Sequence, residues 1–536
     1  MKQRLIYILF ILIITTNLFS QKKNSKVEKT IVIEETFLPL ISKSDSAHSI
    51  KALTRDIDNI IQRNGLSKSD FSVAVYSLDE GKYLYKNNET RSLTPASTTK
   101  LITSFVVLNL LKNQQIHTPI YHNGRIEKNT LYGDLIIYGK GDPLLTQRDF
   151  DSIAVVIKNR GIKIVTGNIY VDDSYFDNNT SRFKYSRDDD EVEALAPITP
   201  LSIERNKALV TVRGGSSGSY LDCDVYPSSE SLKYLVYGKT TGYYEQKKNK
   251  IRDYIEPAVS QQYGDMYNYS IEENDSYRVS ISSSMNEENE QIFVVRGNLR
   301  KGRSRAYRYY LKDPAIATAG VLKSSLSRAG VKVLGGLEKC SDNKKSFNSK
   351  NTLGVIKRDL FEVLDVLNKN SDNYIAENLF KIIGAHNPLY DDNYFGAQDL
   401  TYKVLNNQNI PSKGVYINDG SGLSRRNLVT TEALVKILEN ISKQSYGERF
   451  IQCLAIAGED GTLRKRMKNT AAEDILIGKT GTLRNVSGLS GVTTTLDGEK
   501  LAYAFIFNGN SVGKYKSVEN ELGELISQFF YFNEEY

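Results

Sequence analysis

Apolar residues recur along this chain at two periods, and the change from one to the other divides it. "ALTRDIDNIIQRNG" sets Leu53, Ile57, Ile60 and Ile61 on one helical face and stops at Gly65. "FSVAVYSL", "DEG" and "KYLYKNN" follow as strand, turn and strand. "TPASTTKLITSFVVLNLL" then predicts a buried helix, with Thr94 as its N-cap and Pro95 in its first turn. From about 116 to 307 short strand patterns such as "LYGDLIIYGKGDP" and "IKIVTGNIYVDDSYF" alternate with polar turns, and "RDFDSIAVVIKNRG" reads as a helix. Past 308 helices return, in "DPAIATAGVLKSSLSRAG", "DLFEVLDVLNK", "SDNYIAENLFKIIG" and "TEALVKILENISK". The chain closes on strand, turn, strand and a last helix, "ENELGELISQFFYF".

This order predicts an α+β fold in which one antiparallel sheet is assembled from both ends of the chain. The part built around that sheet would comprise residues 51–115 and 308–536. A β-rich insertion would fill 116–307, with an inner module nested at about 200–290. Residues 21–50 read as a linker. Before them Lys2 and Arg4 precede an apolar run from Leu5 to Ile14, with the small residue Ser20 ahead of two lysines. That is the pattern of a secretory signal cut after Ser20, so the sequence predicts an exported, periplasmic protein without a stable transmembrane anchor.

Composition narrows the chemistry by subtraction. A net charge of +7 over 536 residues does not imply a nucleic-acid partner. Cys223, Cys340 and Cys453 are too few and too scattered for a disulfide framework or a thiolate metal site. The four histidines include no H-E-x-x-H, a poor start for a zinc hydrolase or a histidine-based triad, and the serine–lysine chemistry that remains requires no metal or organic cofactor.

What remains is a serine and a lysine three residues apart. On a helix Ser97 and Lys100 share a face. In the first turn the N–H groups lack partners and the dipole favours negative charge. A lysine becomes a base once burial or a neighbouring cation strips its proton. Ser-x-x-Lys also occurs at Ser20, Ser181, Ser341 and Ser511, but Ser97 alone of these opens a periodic apolar helix. "KNSDNYIAENLFK" then sets Ser371 and Asn373 between two amphipathic helices, where their side chains can project into a cleft. "DILIGKTGTLRNVSG" sets Lys479, Thr480, Gly481 and Thr482 at the end of a strand, where the glycine would let a ligand approach the backbone. Lys479 would be the second cation that a neutral Lys100 needs. With Thr480 and Thr482 it would hold a carboxylate, and the N–H groups of Ser97 and Thr482 would form an oxyanion hole.

Ser-x-x-Lys, Ser-Asp-Asn and Lys-Thr-Gly together are the signature of penicillin-binding proteins and class A β-lactamases. The 274 residues from Ser97 to Ser371 leave room for whole inserted domains. In this the chain resembles the low-molecular-mass class C penicillin-binding proteins, the D-alanyl-D-alanine carboxypeptidase/endopeptidase family. "GKGDPLLT", "GNIYVDDSYF", "NDGSGLSRRN" and "AGEDGTLRKRM" fit it too, and the resemblance covers roughly residues 50–530. It implies a penicillin-binding/β-lactamase-like catalytic domain and a serine DD-peptidase acting on peptidoglycan stem peptides, with β-lactam antibiotics as covalent inhibitors. Carried over, Ser97 would be the nucleophile, Lys100 its base, and Ser371 and Asn373 the proton relay and substrate-positioning pair. Lys479, Thr480 and Thr482 would contact carboxylate and oxyanion, and Arg425 would add a substrate contact. Asp172 or Asp173, in the insertion, would approach the free amino group of the stem peptide. The chain departs from the family in having no tryptophan after "DDSYF", where it reads "FKYSRDDDEVEALAP", and in carrying Leu144 where threonine is usual.

Other patterns compete. A second Ser-Asp-Asn begins at Ser341 but lies in a lysine-rich polar loop. Gly214, Ser216 and Gly218 match G-x-S-x-G, yet the flanking strand patterns make them a hairpin tip. "LRKGRSRAYRYYLK" reads as a solvated strand, and "RDDDEVE" as a solvated loop without calcium-ligand spacing. A serine β-lactamase and a slow penicillin-binding sensor are the rival functions, although no E-x-x-L-N segment lies between Ser371 and Lys479.

Overall fold

In the first hundred residues the elements follow the periodicities of the sequence. Helix α1 spans Ile50–Arg63 and buries Leu53, Ile57, Ile60 and Ile61. Strands β1 (Phe71–Ser77) and β2 (Lys82–Asn87) form a hairpin. Helix α2 spans Thr99–Leu110, and every residue from Thr99 to Leu108 is buried, so it is a core helix covered on all sides. The computed structural model describes residues 50–66, 71–188, 193–241, 278–340 and 351–530. The signal, most of the linker and the second Ser-Asp-Asn lie outside them.

Past the insertion come α3 (Leu360–Lys369), α4 (Asn373–Ala385), α5 (Asn393–Asn407) and α6 (Thr431–Ser442). Strands β3 (Ala455–Ile456), β4 (Ile477–Leu483), β5 (Val486–Thr494) and β6 (Lys500–Asn508) follow, and helix α7 (Val512–Ser527) comes last. Helix α5 was absent from the sequence expectation. Its segment is rich in polar residues and carries Gly396, and its start is fixed by Asp392, which accepts the N–H groups of Tyr394 and Phe395.

The sheet runs β3-β4-β5-β6-β1-β2 with every neighbour antiparallel. The chain ends meet inside it, Phe71 lying opposite Phe507 and Ser77 opposite Leu501. Successive strand residues point to opposite faces. Ala74, Tyr76, Ala502, Ala504 and Ile506 therefore join the core made with α2 to α6. Val73, Val75, Tyr503, Phe505 and Phe507 join a second core with α1 and α7. Strand β6 is apolar almost throughout because both its faces are covered.

The sheets place the end of the insertion later than the sequence reading did. Gln115–His122 pairs antiparallel with Thr352–Asp359, Gln115 opposite Asp359. Strand Leu337–Lys339 pairs with Ile169–Asp172 in the sheet that also holds Leu135–Tyr138, strand Lys332–Val333 pairs with Ile164–Val165 in a second sheet, and helix Pro314–Ala329 packs in the same core. The segment 308–359, assigned above to the part built around the two-ended sheet, therefore belongs to the insertion. Periodicity predicts a helix or a strand but not which sheet it joins. Ser304–Tyr310, beyond the span of about 200–290 expected for the inner module, pairs with Lys207–Arg213 inside that span. Gly214, Ser216 and Gly218 sit in the turn of the hairpin Lys207–Arg213/Asp222–Tyr226.

Candidate active site

Ser97 does not occupy the first α-helical turn. Ala96–Thr98 forms a 3-10 turn and α2 begins at Thr99, so Ser97 precedes the α-helix. Thr94 is not the cap: its N–H donates to Asn508 Oδ1 at 2.9 Å and its carbonyl accepts from Asn508 Nδ2 at 3.0 Å. Ala96, at φ +48°, turns the chain out of the helical path just before the serine. The turn is tied by Thr98 Oγ1 donating to the Pro95 carbonyl and Thr99 Oγ1 to that of Ala96, both at 2.8 Å.

Two glycines allow other segments to close on this turn. A Cβ on Gly481 of β4 would lie 2.6 Å from the Pro95 carbonyl and 3.1 Å from Ser97 N. The glycine of Lys-Thr-Gly thus seats the strand against the turn that carries Ser97, whereas the sequence suggested room for a ligand. Gly422, at φ +82°, would set a Cβ 2.0 Å from the Ala96 carbonyl oxygen. Gly422→Ala is therefore expected to lower stability by about 2 kcal/mol or more. By displacing Ser97 it is also expected to slow acylation by about 100-fold. Thermal melting and the rate of labelling by penicillin measure the two effects, and labelling at the normal rate would show the turn to be unmoved.

Lys100 is completely buried. Its Nζ donates to Ser97 Oγ at 2.8 Å, to Asn373 Oδ1 at 2.7 Å and to the Ser421 carbonyl at 2.5 Å. Burial pushes its pKa down to about 8, against the opposing pull of carboxylates, Asp419 first among them. Burial is the leading cause for both amines of the site: together with the Lys100 cation it holds Lys479 well below the usual lysine range. Lys479 Nζ donates to Ser371 Oγ at 2.9 Å and to the Thr480 carbonyl at 2.6 Å. Lys479 also lies within β4, at its third residue, rather than at its end.

Ser371, at φ +55°, turns the chain between α3 and α4. Asp372, the middle residue of the motif, caps α4 by accepting the Ile375 N–H at 3.0 Å and pairs with Arg205 of the insertion at 2.5 Å. Asn373 is left at the helix start with both amide atoms engaged: Oδ1 by Lys100, Nδ2 by the Glu193 carboxylate.

Ser97, Ser371, Asn373, Thr480 and Thr482 open on one cleft of about 590 Å³. Glu193, Leu423, Thr462, Leu483 and Arg484 complete its walls, and none had been given a role from the sequence. Thr480 Oγ1 donates to Thr462 Oγ1 at 2.8 Å. β3 pairs only with Ile477 and Gly478, so among the described residues β4 has no strand partner on that side from Lys479 onward.

Three expected features differ. Arg425 is exposed and does not line the cleft; its Nη1 donates to the carbonyl of Arg484, which does, at 3.0 Å. Asp172 and Asp173 are not brought to the cleft. Asp172 accepts from the N–H and hydroxyl of Ser174 at 3.0 and 2.6 Å, and Asp173 pairs with Lys339 at 3.4 Å. "RDDDEVE" is not simply a solvated loop, since Asp188 is buried against Arg182 and Glu193 reaches the cleft. Arg182 also binds Asp419 at 2.7 Å, which fastens the insertion to the loop holding Ser421. A carboxylate run alone gives no sign of which member is paired. Among the described residues no group of His, Cys, Asp or Glu is arranged to hold a metal. No described helix is long and apolar enough to cross a membrane.

A serine bonded to a buried lysine of lowered proton affinity, beside the open edge of a sheet strand, is an arrangement suited to a serine enzyme. Residues 53–253 and 247–529 match the profile of the D-Ala-D-Ala carboxypeptidase 3 (S13) family. The chain belongs to this serine peptidase family. It is 25% identical over 502 residues to the D-alanyl-D-alanine carboxypeptidase of Actinomadura sp. (strain R39), covering 92% of this chain and 87% of that one. To the D-alanyl-D-alanine carboxypeptidase DacB of Haemophilus influenzae it is 26% identical over 448 residues, covering 82% and 86%. The crystal structure of penicillin binding protein 4 (dacB) from Haemophilus influenzae superposes with a TM-score of 0.62 at 21% identity, over 87% of this chain and 99% of that one. The fold is thus α+β of the penicillin-binding type.

Proposed function

We propose that this protein hydrolyses the D-Ala-D-Ala bond of peptidoglycan stem peptides through an acyl-enzyme on Ser97. The observation that carries the reading is the 2.8 Å contact between Ser97 Oγ and the Nζ of a fully buried Lys100. In its neutral form Lys100 takes the Ser97 proton as Oγ attacks the penultimate D-Ala carbonyl. The N–H groups of Ser97 and Thr482 hold the oxyanion. The C–N bond then breaks, and the leaving D-Ala nitrogen receives a proton through Lys100 and Ser371. Water cleaves the ester, returning the proton to Ser97. The substrate backbone lies along the open edge of β4, antiparallel to it. Its terminal carboxylate faces Thr480, Thr482 and Lys479, and this negative charge favours the protonated form of Lys479.

The same attack on a D-Ala cross-link would release a neighbouring strand, so both carboxypeptidase and endopeptidase action follow from one site. A β-lactam presents a strained amide to the same serine, and the related Haemophilus influenzae structure has been solved with one bound. The reading carries with it export through the signal at residues 1–20 and work in the periplasm. Arg425 acts through Arg484 on the cleft rim.

The test pairs two substrates. Incubation with a peptide ending in D-Ala-D-Ala is expected to release D-Ala, and incubation with penicillin to give an intact protein heavier by one penicilloyl group. Rapid consumption of penicillin without peptide cleavage would make the protein a β-lactamase instead. Neither adduct nor cleavage would leave a binder.

A further inference from the structure

Glu377 lies four residues after Asn373 on α4, one turn below it on the same face, and is completely buried. A carboxylate is rarely so placed without partners. Its Oε1 accepts the N–H of Ser421 at 2.9 Å and its Oε2 accepts the hydroxyl of Tyr185 at 2.8 Å. The carbonyl of Ser421 is the one that receives Lys100 Nζ at 2.5 Å and Ser97 Oγ at 3.4 Å. The adjacent Gly420 carbonyl is held by Thr103 of α2 at 2.8 Å. Tyr185 comes from the short insertion helix Arg182–Ser186.

We infer that Glu377 is a positioning residue for Lys100: it fixes Ser421 so that this carbonyl faces the lysine, and its charge bears on the lysine's proton. The inference rests on Lys100 being the base. The charged and titratable groups facing Glu377 are Asp419, Arg182, Tyr185, Tyr394 and Lys100, with Lys381 on its own helix. Burial and Asp419 push the Glu377 pKa up to about 7, while Arg182 and the two hydrogen bonds pull against them. Glu377 in its charged form raises the proton affinity of Lys100. Two groups titrating so close together give a broadened limb that belongs to the pair. The insertion thus reaches the catalytic base through Tyr185 and Glu377, without touching substrate.

The experiment measures the acylation rate of the full-length protein with penicillin against pH, for wild type, Glu377→Gln and Glu377→Ala. Gln keeps an acceptor for Ser421 and removes the charge. Its rising limb is expected to shift to lower pH by about one unit and to steepen to a single ionisation. Ala leaves the Ser421 N–H without its acceptor and is expected to slow acylation about tenfold or more at every pH. A Gln limb superimposable on wild type overturns the inference, even if melting falls, because a merely structural carboxylate would move stability alone. If Ala fails to fold, the Gln profile still decides. Wild type that takes no penicillin at all would refute the acyl-enzyme reading itself, a result distinct from an unmoved limb in the variant.

Discussion

Replacing Ser97 by alanine is expected to remove the penicilloyl adduct and to slow peptide hydrolysis on the order of 10⁴-fold or more. The expectation is sharp because the site contains two serine–lysine pairs. Ser97 is 2.8 Å from the Nζ of Lys100, and Ser371 is 2.9 Å from that of Lys479. Both lysines are fully buried, and burial lowers the proton affinity of both. Proton affinity alone therefore does not choose the nucleophile. Position favours Ser97 in the proposed mechanism: it sits on the turn that closes against β4, beside Thr482 on the cleft wall. Ser97→Ala should leave the fold intact, since the half-buried hydroxyl contributes hydrogen bonds only to Lys100 and to Ser421. Melting within a few degrees of wild type is expected. Intact-protein mass after incubation with penicillin decides the matter. An adduct persisting in Ser97→Ala, and lost in Ser371→Ala, would transfer the nucleophile to the second pair.

The parts of this site that the chain spells locally were legible, and those made by distant backbone were not. Ser97 and Lys100 are three residues apart at the head of an apolar helix, so the sequence itself states their relation. Lys479 to Thr482 could be found because their strand carries an apolar pattern on either side. By contrast, the acceptor that holds Lys100 most closely is a main-chain carbonyl of Ser421, which no residue type announces. Ala96 in a left-handed conformation is also silent, since alanine is an ordinary helix former. That strain displaces Ser97 from the α-helix and falsifies the capping expected of Thr94. The antiparallel sheet could be foreseen because its hairpins are contiguous in sequence. The far end of the insertion could not, because Asp359 finds its partner at Gln115, more than two hundred residues earlier. Glu193 and Asp188 flank a run of like charges, and only the fold shows that one lines the cleft while the other pairs with Arg182.

Lys100→Ala is expected to lower acylation by about 10²- to 10⁴-fold, the range that a general base contributes. The pH dependence of the wild type supplies the independent check. With its pKa lowered to about 8, Lys100 is neutral in roughly one molecule in ten at pH 7. Only that form accepts the serine proton. Acylation should therefore rise with pH through about 8 and level off above it, whereas an ordinary lysine near 10.5 would leave it rising far beyond. The sign follows from the cause: burial disfavours the ammonium, so the base is released at lower pH, while the nearby carboxylates keep the shift from going further. Lys100→Arg separates the two duties of the residue. Arginine retains a cation for Asn373 and the Ser421 carbonyl but does not deprotonate. It should preserve stability better than alanine and still fail to acylate. Near-normal acylation in either variant would remove Lys100 from the role of base. Because Lys479 is, among the described residues, the other buried lysine that contacts a serine of the cleft, the rising limb should then survive in Lys100→Ala and vanish in Lys479→Ala.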